Sequence, residues 1–188
     1  MHDLIAITAL GGTQPRVNEV AGVTCTEVTN LALASVAARL GKETGCASAL
    51  QSLLKATPPP AGKAHLGAPF SAIWTGPDQW LVAANFYSFE DIATQVKSSL
   101  GDNASVTEQS DAWCGFDLAG DGIRPVMELL CNVNIRAMQH GDATRTSIHH
   151  LGCFVICADA QGFIRILGPR ASAGSLHHAI LTAMKSAL

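Results

Sequence analysis

Residues 70–84, FSAIWTGPDQWLVAA, are the stretch around which the fold is organised. Pro77 presets φ for the second position of a β-turn and Asp78 suits the third, which predicts a type I turn between two strands. Trp74 and Trp80 flank this turn, one on each strand, where cross-strand aromatic contact can fix the pairing. An ordinary core hairpin accounts for the same pattern. The stretch therefore predicts a hairpin, with a further role for its tryptophans left open.

Length and composition predict one compact domain with an unusual surface. A chain of 188 residues buries roughly 70% of the surface that its unfolded form exposes, so it needs no disulfide or metal to fold. We expect an N-terminal arm over residues 1–20 and one domain over 21–188, with halves at 21–101 and 102–188. Charged residues make up only 14%, against a usual ~25%. Part of the exterior is therefore expected to be apolar and covered by a partner.

Charge and hydropathy exclude several classes of protein. The formal net charge is -3 and the basic residues are scattered, so no basic patch for nucleic acid is present. No apolar window is long enough to span a membrane, and residues 1–6 lack the basic start of a signal peptide. The six cysteines form no C-x-x-C pair, which predicts reduced, mostly buried thiols without a disulfide framework. We expect a cytoplasmic protein that binds neither membrane nor nucleic acid.

Local patterns beyond the hairpin predict alternating strands and helices. Predicted strands cover residues 23–28, 104–109, 113–119, 145–151, 153–158 and 163–167. Predicted helices begin after an Asn30 cap, at Thr44, after a capping box at 88–91, at Ile123 after an Asp121 cap, and before Leu176 near the C-terminus. Helices that return between strands over antiparallel or mixed sheets define an α+β fold with two pseudo-related halves.

The residues offer no visible reactive set. The adjacent histidines at 149–150 and 177–178 suggest metal binding, but neighbours on one strand or helix point apart and cannot chelate. Cys153 and Cys157 share one strand face, where small thiols pack well. No C-x-x-C, G-x-S-x-G, G-x-G-x-x-G or Walker lysine is present. We therefore predict no catalytic, cofactor-binding or metal-binding residue on this chain.

Several blocks nevertheless resemble one family. Residues 74–81, WTGPDQWL, resemble the W-x-G-P-D-x-W-L signature of the gamma subunit of heterotetrameric sarcosine oxidase, and residues 108–113, EQSDAW, resemble its D-Q-S-x-A-W segment. Further blocks follow in the family order, so that the resemblance covers residues 22–185. The motif or interface candidates that it marks are Trp74, Gly76, Pro77, Asp78, Trp80, Gln109, Ser110, Trp113 and Arg170.

The resemblance implies a non-catalytic subunit within a larger enzyme. In that family the assembled complex oxidises sarcosine to glycine, reduces oxygen and passes the methyl carbon to tetrahydrofolate. The partners are the alpha, beta and delta subunits, which carry FAD, FMN, NAD and tetrahydrofolate. The resemblance leaves open whether the substrate here is sarcosine or another N-methyl amine.

A wider resemblance links the chain to the N-terminal folate-binding domain of the glycine-cleavage aminomethyltransferase. That domain carries an acidic residue in the block that matches residues 149–155, HHLGCFV, where this chain has no carboxylate; Asp159 is the nearest acid. This departure counts against aminomethyl transfer. The alternative is a stand-alone folate-binding or aminomethyltransferase-like protein, for which Asp111 or Glu108 would supply the acid.

Overall fold

The structure is a computed structural model that describes residues 5–159 and 162–188. In chain order its strands and helices are β1 (Val17–Val20), β2 (Val23–Val28), β3 (Leu31–Ala38), α1 (Glu43–Leu54), β4 (Ala64–His65), β5 (Ser71–Gly76), β6 (Gln79–Asn85), α2 (Ile92–Leu100), β7 (Ala104–Glu108), β8 (Trp113–Ala119), α3 (Ile123–Leu130), β9 (Ala143–Ile148), β10 (Leu151–Asp159), β11 (Phe163–Pro169) and α4 (Ala173–Ala187). The mixture of antiparallel sheets and packed helices confirms the predicted α+β class.

The described residues divide into two compact units that interleave in the sequence. The first unit comprises residues 5–29, 112–140 and 144–188, and the second comprises residues 30–111 and 141–143. The predicted halves, 21–101 and 102–188, differ from these units because β2 pairs with β8, a strand that lies far along the chain. Long-range strand pairing, which local sequence does not encode, sets the boundary.

The first unit packs two helices on a six-stranded sheet. Its strand order is β1-β2-β8-β11-β10-β9. Alternate residues of the central strands, such as Phe116 and Ile166, are fully buried against Met127 of α3 and Ile180 of α4. Each such side chain contributes roughly 1.5–3 kcal/mol by leaving water. The apolar spacing of α3 and α4 thus finds its partner in one face of this sheet.

The second unit repeats this arrangement with a five-stranded sheet, ordered β4-β5-β6-β3-β7, and helices α1 and α2. Leu50 of α1 and Val96 of α2 are buried in one cluster with Val36, Trp80 and Val82 of the sheet. Both helices lie where their apolar spacing predicts them. None of the helices in the described ranges is long and apolar enough to cross a bilayer.

One predicted helix is wrong, because residues 31–38 form strand β3 rather than a helix capped by Asn30. This strand lies in the sheet between β6 and β7, and consecutive residues 32–34 are buried. A central strand shows an apolar run without clear alternation, which periodicity alone does not separate from a buried helix. Leu40, which the helix would have placed on its apolar face, is 98% exposed.

Several predicted element ends also change. Helices α2 and α3 have no side-chain hydrogen bond at their N-caps, Asp91 and Gly122, so the predicted capping box and Asp121 cap do not form. The strand predicted at 145–151 stops at Ile148, because the next two residues form a turn. The predicted N-terminal arm contains β1, which pairs with β2. Residues 1–4 of this arm and the two middle residues of the predicted 159–162 turn lie outside the described ranges.

Candidate interface motifs and a cavity

The structure distributes the predicted candidates over both units. The second unit holds Trp74, Gly76, Pro77, Asp78, Trp80, Gln109 and Ser110, and the first unit holds Trp113 and Arg170. They therefore form at least two sets, one in each unit.

The first set surrounds the β5–β6 hairpin, which is confirmed. Trp74 pairs with Trp80 across the two strands. Asp78 has a φ of +55°, which fits the third position of a type II turn, so the predicted type I turn is wrong. The carbonyl of Asp78 accepts a hydrogen bond from the backbone N–H of Ala38 at 3.0 Å. Pro77 and Asp78 are exposed at the tip, which is therefore a rigid and accessible feature.

The tryptophans of this hairpin have mainly structural roles. Trp80 is 6% exposed, and its indole Nε1–H donates to the carbonyl of Pro59 at 3.0 Å. Pro59 is buried in the proline run that follows α1, so this bond fastens the loop to the sheet. Trp74 is half-buried against the same core.

The block at 108–110 forms a second structural turn. Oε1 of Glu108 accepts hydrogen bonds from the Oγ of Ser110 at 2.5 Å, from the N–H of Ser110 at 2.8 Å and from the N–H of Gln109 at 3.1 Å. The Oγ of Ser110 accepts from the N–H of Leu33 at 2.9 Å, which joins the end of β7 to β3. These contacts explain why an acid and a serine occur at this spacing, and they assign Glu108 to the turn rather than to acid catalysis.

In the first unit, aromatic and cationic side chains lie together on the sheet. The ring centroids of Trp113 and Phe154 are 5.4 Å apart, and the guanidinium of Arg145 lies 5.8 Å from the Phe154 centroid. The latter distance is within the range of a cation–π interaction. The backbone N–H of Arg170 donates to the carbonyl of Ala112 at 3.0 Å. Sequence reasoning marked Trp113 and Arg170 but missed Phe154, which packs beside Trp113, and Arg145, which lies over the Phe154 ring.

A buried carboxylate, Glu27, holds the N-terminal segment. Its side chain is 3% exposed, and its two oxygens accept the backbone N–H groups of Leu10 at 2.9 Å and Arg16 at 3.1 Å. Nη2 of Arg170 also donates to the carbonyl of Ile7 at 3.4 Å. The sequence contains the signal for this site, because Glu27 follows Val23 and Cys25 on the core-facing side of β2.

Three buried thiols of the first unit have a raised pKa and are protonated at neutral pH. Burial raises the pKa of Cys25 to about 12 and that of Cys114 to about 11. Burial likewise raises the pKa of Cys153 to about 11. Since the thiolate is the nucleophile and the metal ligand, these residues act as small apolar side chains.

A cavity of about 170 Å³ opens in the first unit at the strand-to-helix turn after β8. Ile123, Ile135 and Ile164 line its apolar part, and Arg124 and Asp159 contribute charge. Pockets that bury drug-sized ligands usually measure about 300–1,000 Å³. At about 170 Å³ this cavity is smaller than that range.

The two sheets with their helices define an α+β fold. The structure resembles glycine cleavage system aminomethyltransferase T from Bartonella henselae, with a TM-score of 0.62 and 11% identity over 86% of this chain. The match covers 46% of that chain, so this protein spans about half its length.

The fold also resembles a heterotetrameric sarcosine oxidase, over more of both chains. A chain of that protein from Corynebacterium sp. U-96, solved in complex with pyrrole 2-carboxylate, matches with a TM-score of 0.73 and 22% identity. The match covers 89% of this chain and 88% of that chain. No protein-family model and no curated protein matches the sequence. The shared fold agrees with the family that the sequence blocks resemble.

Proposed function

We propose that this chain is a non-catalytic assembly subunit of a sarcosine oxidase complex. The observation that carries the proposal is the fold match along nearly the full length of both chains. The family-like blocks around Trp80 and Ser110 hold turns and loops in place, as a structural subunit requires. In the proposed cytoplasmic complex, alpha, beta and delta subunits carry FAD, FMN, NAD and tetrahydrofolate, and sarcosine is oxidised to glycine.

The N-terminal segment supplies a candidate docking surface for a partner subunit. Ile5 and Ile7 are 73% and 59% exposed. Arg170 donates a hydrogen bond to the carbonyl of Ile7, and Glu27 accepts one from the N–H of Leu10, a few residues further along the chain. Large apolar side chains that are exposed to water are suited to insertion into a partner's pocket. Arg170, one of the family-like residues, directly contacts the carbonyl of Ile7.

The experiment is co-expression of the candidate subunits with and without this chain. We expect loss of sarcosine oxidation, or of complex assembly, when the chain is omitted; unchanged activity and assembly would overturn the proposal. The double variant Ile5→Asp with Ile7→Asp should release the chain from the complex while its own unfolding transition stays intact. Leu129→Asp is the matched control, since Leu129 is 60% exposed in α3, a value close to that of Ile7.

The alternative function is that of a stand-alone folate-binding protein, which the aminomethyltransferase fold match supports. Three observations oppose it. The cavity is small, the Glu108 carboxylate accepts hydrogen bonds within its own turn, and residues 149–155 contain no carboxylate. Calorimetric titration of the purified chain with tetrahydrofolate separates the two. The assembly role predicts no saturable binding, whereas saturable binding to the isolated chain would favour the alternative.

A further inference from the structure

The turn between β9 and β10 consists of two histidines in an unfavourable backbone conformation. His149 and His150 have φ values of +48° and +67°. A two-residue hairpin turn with positive φ at both positions is normally built from Asn-Gly or similar pairs, because a side chain with a Cβ is disfavoured there. Histidine is enriched among the non-glycine residues with positive φ, but two in succession are unusual, and such backbone outliers cluster at functional positions.

The turn also changes the geometry that the sequence predicted for these side chains. In a strand the two imidazoles would point to opposite faces, but in the turn their ring centroids lie 5.9 Å apart with an interplanar angle of 50°. Both residues are exposed to solvent. Two imidazoles are thus held side by side at an accessible hairpin tip.

This separation suits a shared metal ion. With Zn–N bonds of about 2.0–2.1 Å, two nitrogens on one tetrahedral ion lie about 3.3 Å apart. With ring centroids 5.9 Å apart, the two imidazoles are near enough to each other for one ion to be shared between them.

We propose that His149 and His150 chelate a divalent transition-metal ion of the imidazole-binding class, such as Zn²⁺, through one nitrogen each. Imidazole is the commonest metal ligand in proteins and suits Zn²⁺, Ni²⁺ and Cu²⁺. Among the described residues no cluster of three or more His, Cys, Asp or Glu could hold a metal. The site therefore supplies two ligands, and water or a group from another molecule fills the remaining positions.

His177 and the buried thiols of the first unit compete poorly for the ion. The ring of His177 is buried and its Nε2 lies 2.9 Å from Oδ1 of Asn18. His178 is exposed, but its neighbour His177 is buried, so these two histidines cannot bind one ion together. The buried thiols Cys25 and Cys114 are protonated, as described above. Saturable binding can thus be assigned to the hairpin by substitution.

The test is calorimetric titration of the full chain with ZnCl₂. The variant carries His149→Asn and His150→Asn, because asparagine tolerates positive φ and keeps the turn while it removes both imidazoles. His178→Asn is the matched control. Loss of a group that only supports a metal ligand already costs about 10–100-fold in affinity, so the double variant should bind at least about tenfold more weakly. The control should bind like the wild type.

Imidazole proton signals in the NMR spectrum give a second readout, because the Zn²⁺ titration is then followed on the wild-type chain. The single variants assign the ring signals of His149 and His150 in the wild-type chain. Those two sets of signals should shift together on addition of Zn²⁺. Unaltered ring signals, unsaturable binding by the wild type, or equal affinity in the double variant would each overturn the proposal.

Discussion

Replacement of Gly120 by alanine tests how the first unit is closed at the end of β8. Gly120 has a φ of +131°, a conformation that residues with side chains rarely adopt. A Cβ built at this position lies 2.4 Å from the carbonyl oxygen of Gly22 and 3.1 Å from the Cα of Val23. Both neighbours are backbone atoms, so no side chain can rotate away to relieve the contact.

The cost of Gly120→Ala follows from these two effects. Backbone strain of this kind costs about 1–3 kcal/mol, and forced overpacking adds about 1–3 kcal/mol. We therefore expect the free energy of unfolding to fall by about 2–6 kcal/mol. Val23 is fully buried, so displacement of the backbone before β2 would disturb the core as well as the β2–β8 pairing. Overall stabilities are about 5–15 kcal/mol, which makes this loss severe.

Urea unfolding monitored by tryptophan fluorescence measures the change in the free energy of unfolding, and thermal unfolding measures the change in Tm. For a domain of this size a loss of about 4 kcal/mol lowers Tm by roughly 8–16 °C. Gly174→Ala is the control, since Gly174 lies in α4 with nothing within 4 Å of its added Cβ. Because Gly174 is exposed in the first turn of α4, that variant should stay within about 0.5 kcal/mol of the wild type. A Gly120→Ala protein within about 0.5 kcal/mol of the wild type would refute the steric reasoning.

Gly168→Ala places a Cβ 2.4 Å from Cδ2 of Leu176, so it should lower the free energy of unfolding by about 1–3 kcal/mol. In a double-mutant cycle with Leu176→Ala, part of this cost should disappear, because the truncated side chain no longer meets the added Cβ. Glu27→Gln should cost about 1–3 kcal/mol and speed amide exchange at the two N–H groups that Glu27 holds, while Glu19→Gln at an exposed site should change neither. Because burial raises the pKa of the Cys25 thiol from 9.0 to about 12, the unfolded chain loses this proton first as the pH rises. The stability that this thiol contributes should be complete below pH 9.0 and fall between pH 9.0 and about 12, and Cys25→Ala should flatten that decline in urea titrations.

Sequence reasoning succeeded where the signal is local. The β5–β6 hairpin depends on Pro77 and Asp78 at adjacent turn positions, and α1 and α2 depend on apolar spacing that a single turn of helix already displays. The exact turn type was missed because Asp78 tolerates positive φ, so its presence is compatible with either turn.

Prediction failed where distant residues decide the outcome. Strand β3 lies between β6 and β7, and its hydrogen-bonded pairing with both strands overrides the helix propensity of its alanine-rich sequence. Of the candidate site residues, Ser110 could be marked from its motif, but its acceptor role toward Leu33 could not, since the two are 77 positions apart. Likewise the histidine pair was assigned to a strand because no local rule favours His-His in a tight turn.

The interleaved order of the two units has a consequence for synthesis on the ribosome. Nearly all of the second unit is one continuous run, so it can collapse as soon as residue 111 has emerged. Strand β2 ends at Val28, whereas its partner β8 begins only at Trp113. At about 5–20 residues per second, β2 waits roughly 4–17 s for that partner. During this interval the nascent chain exposes the unpaired edge of β2, so chaperone protection matters most for the segment that contains this strand.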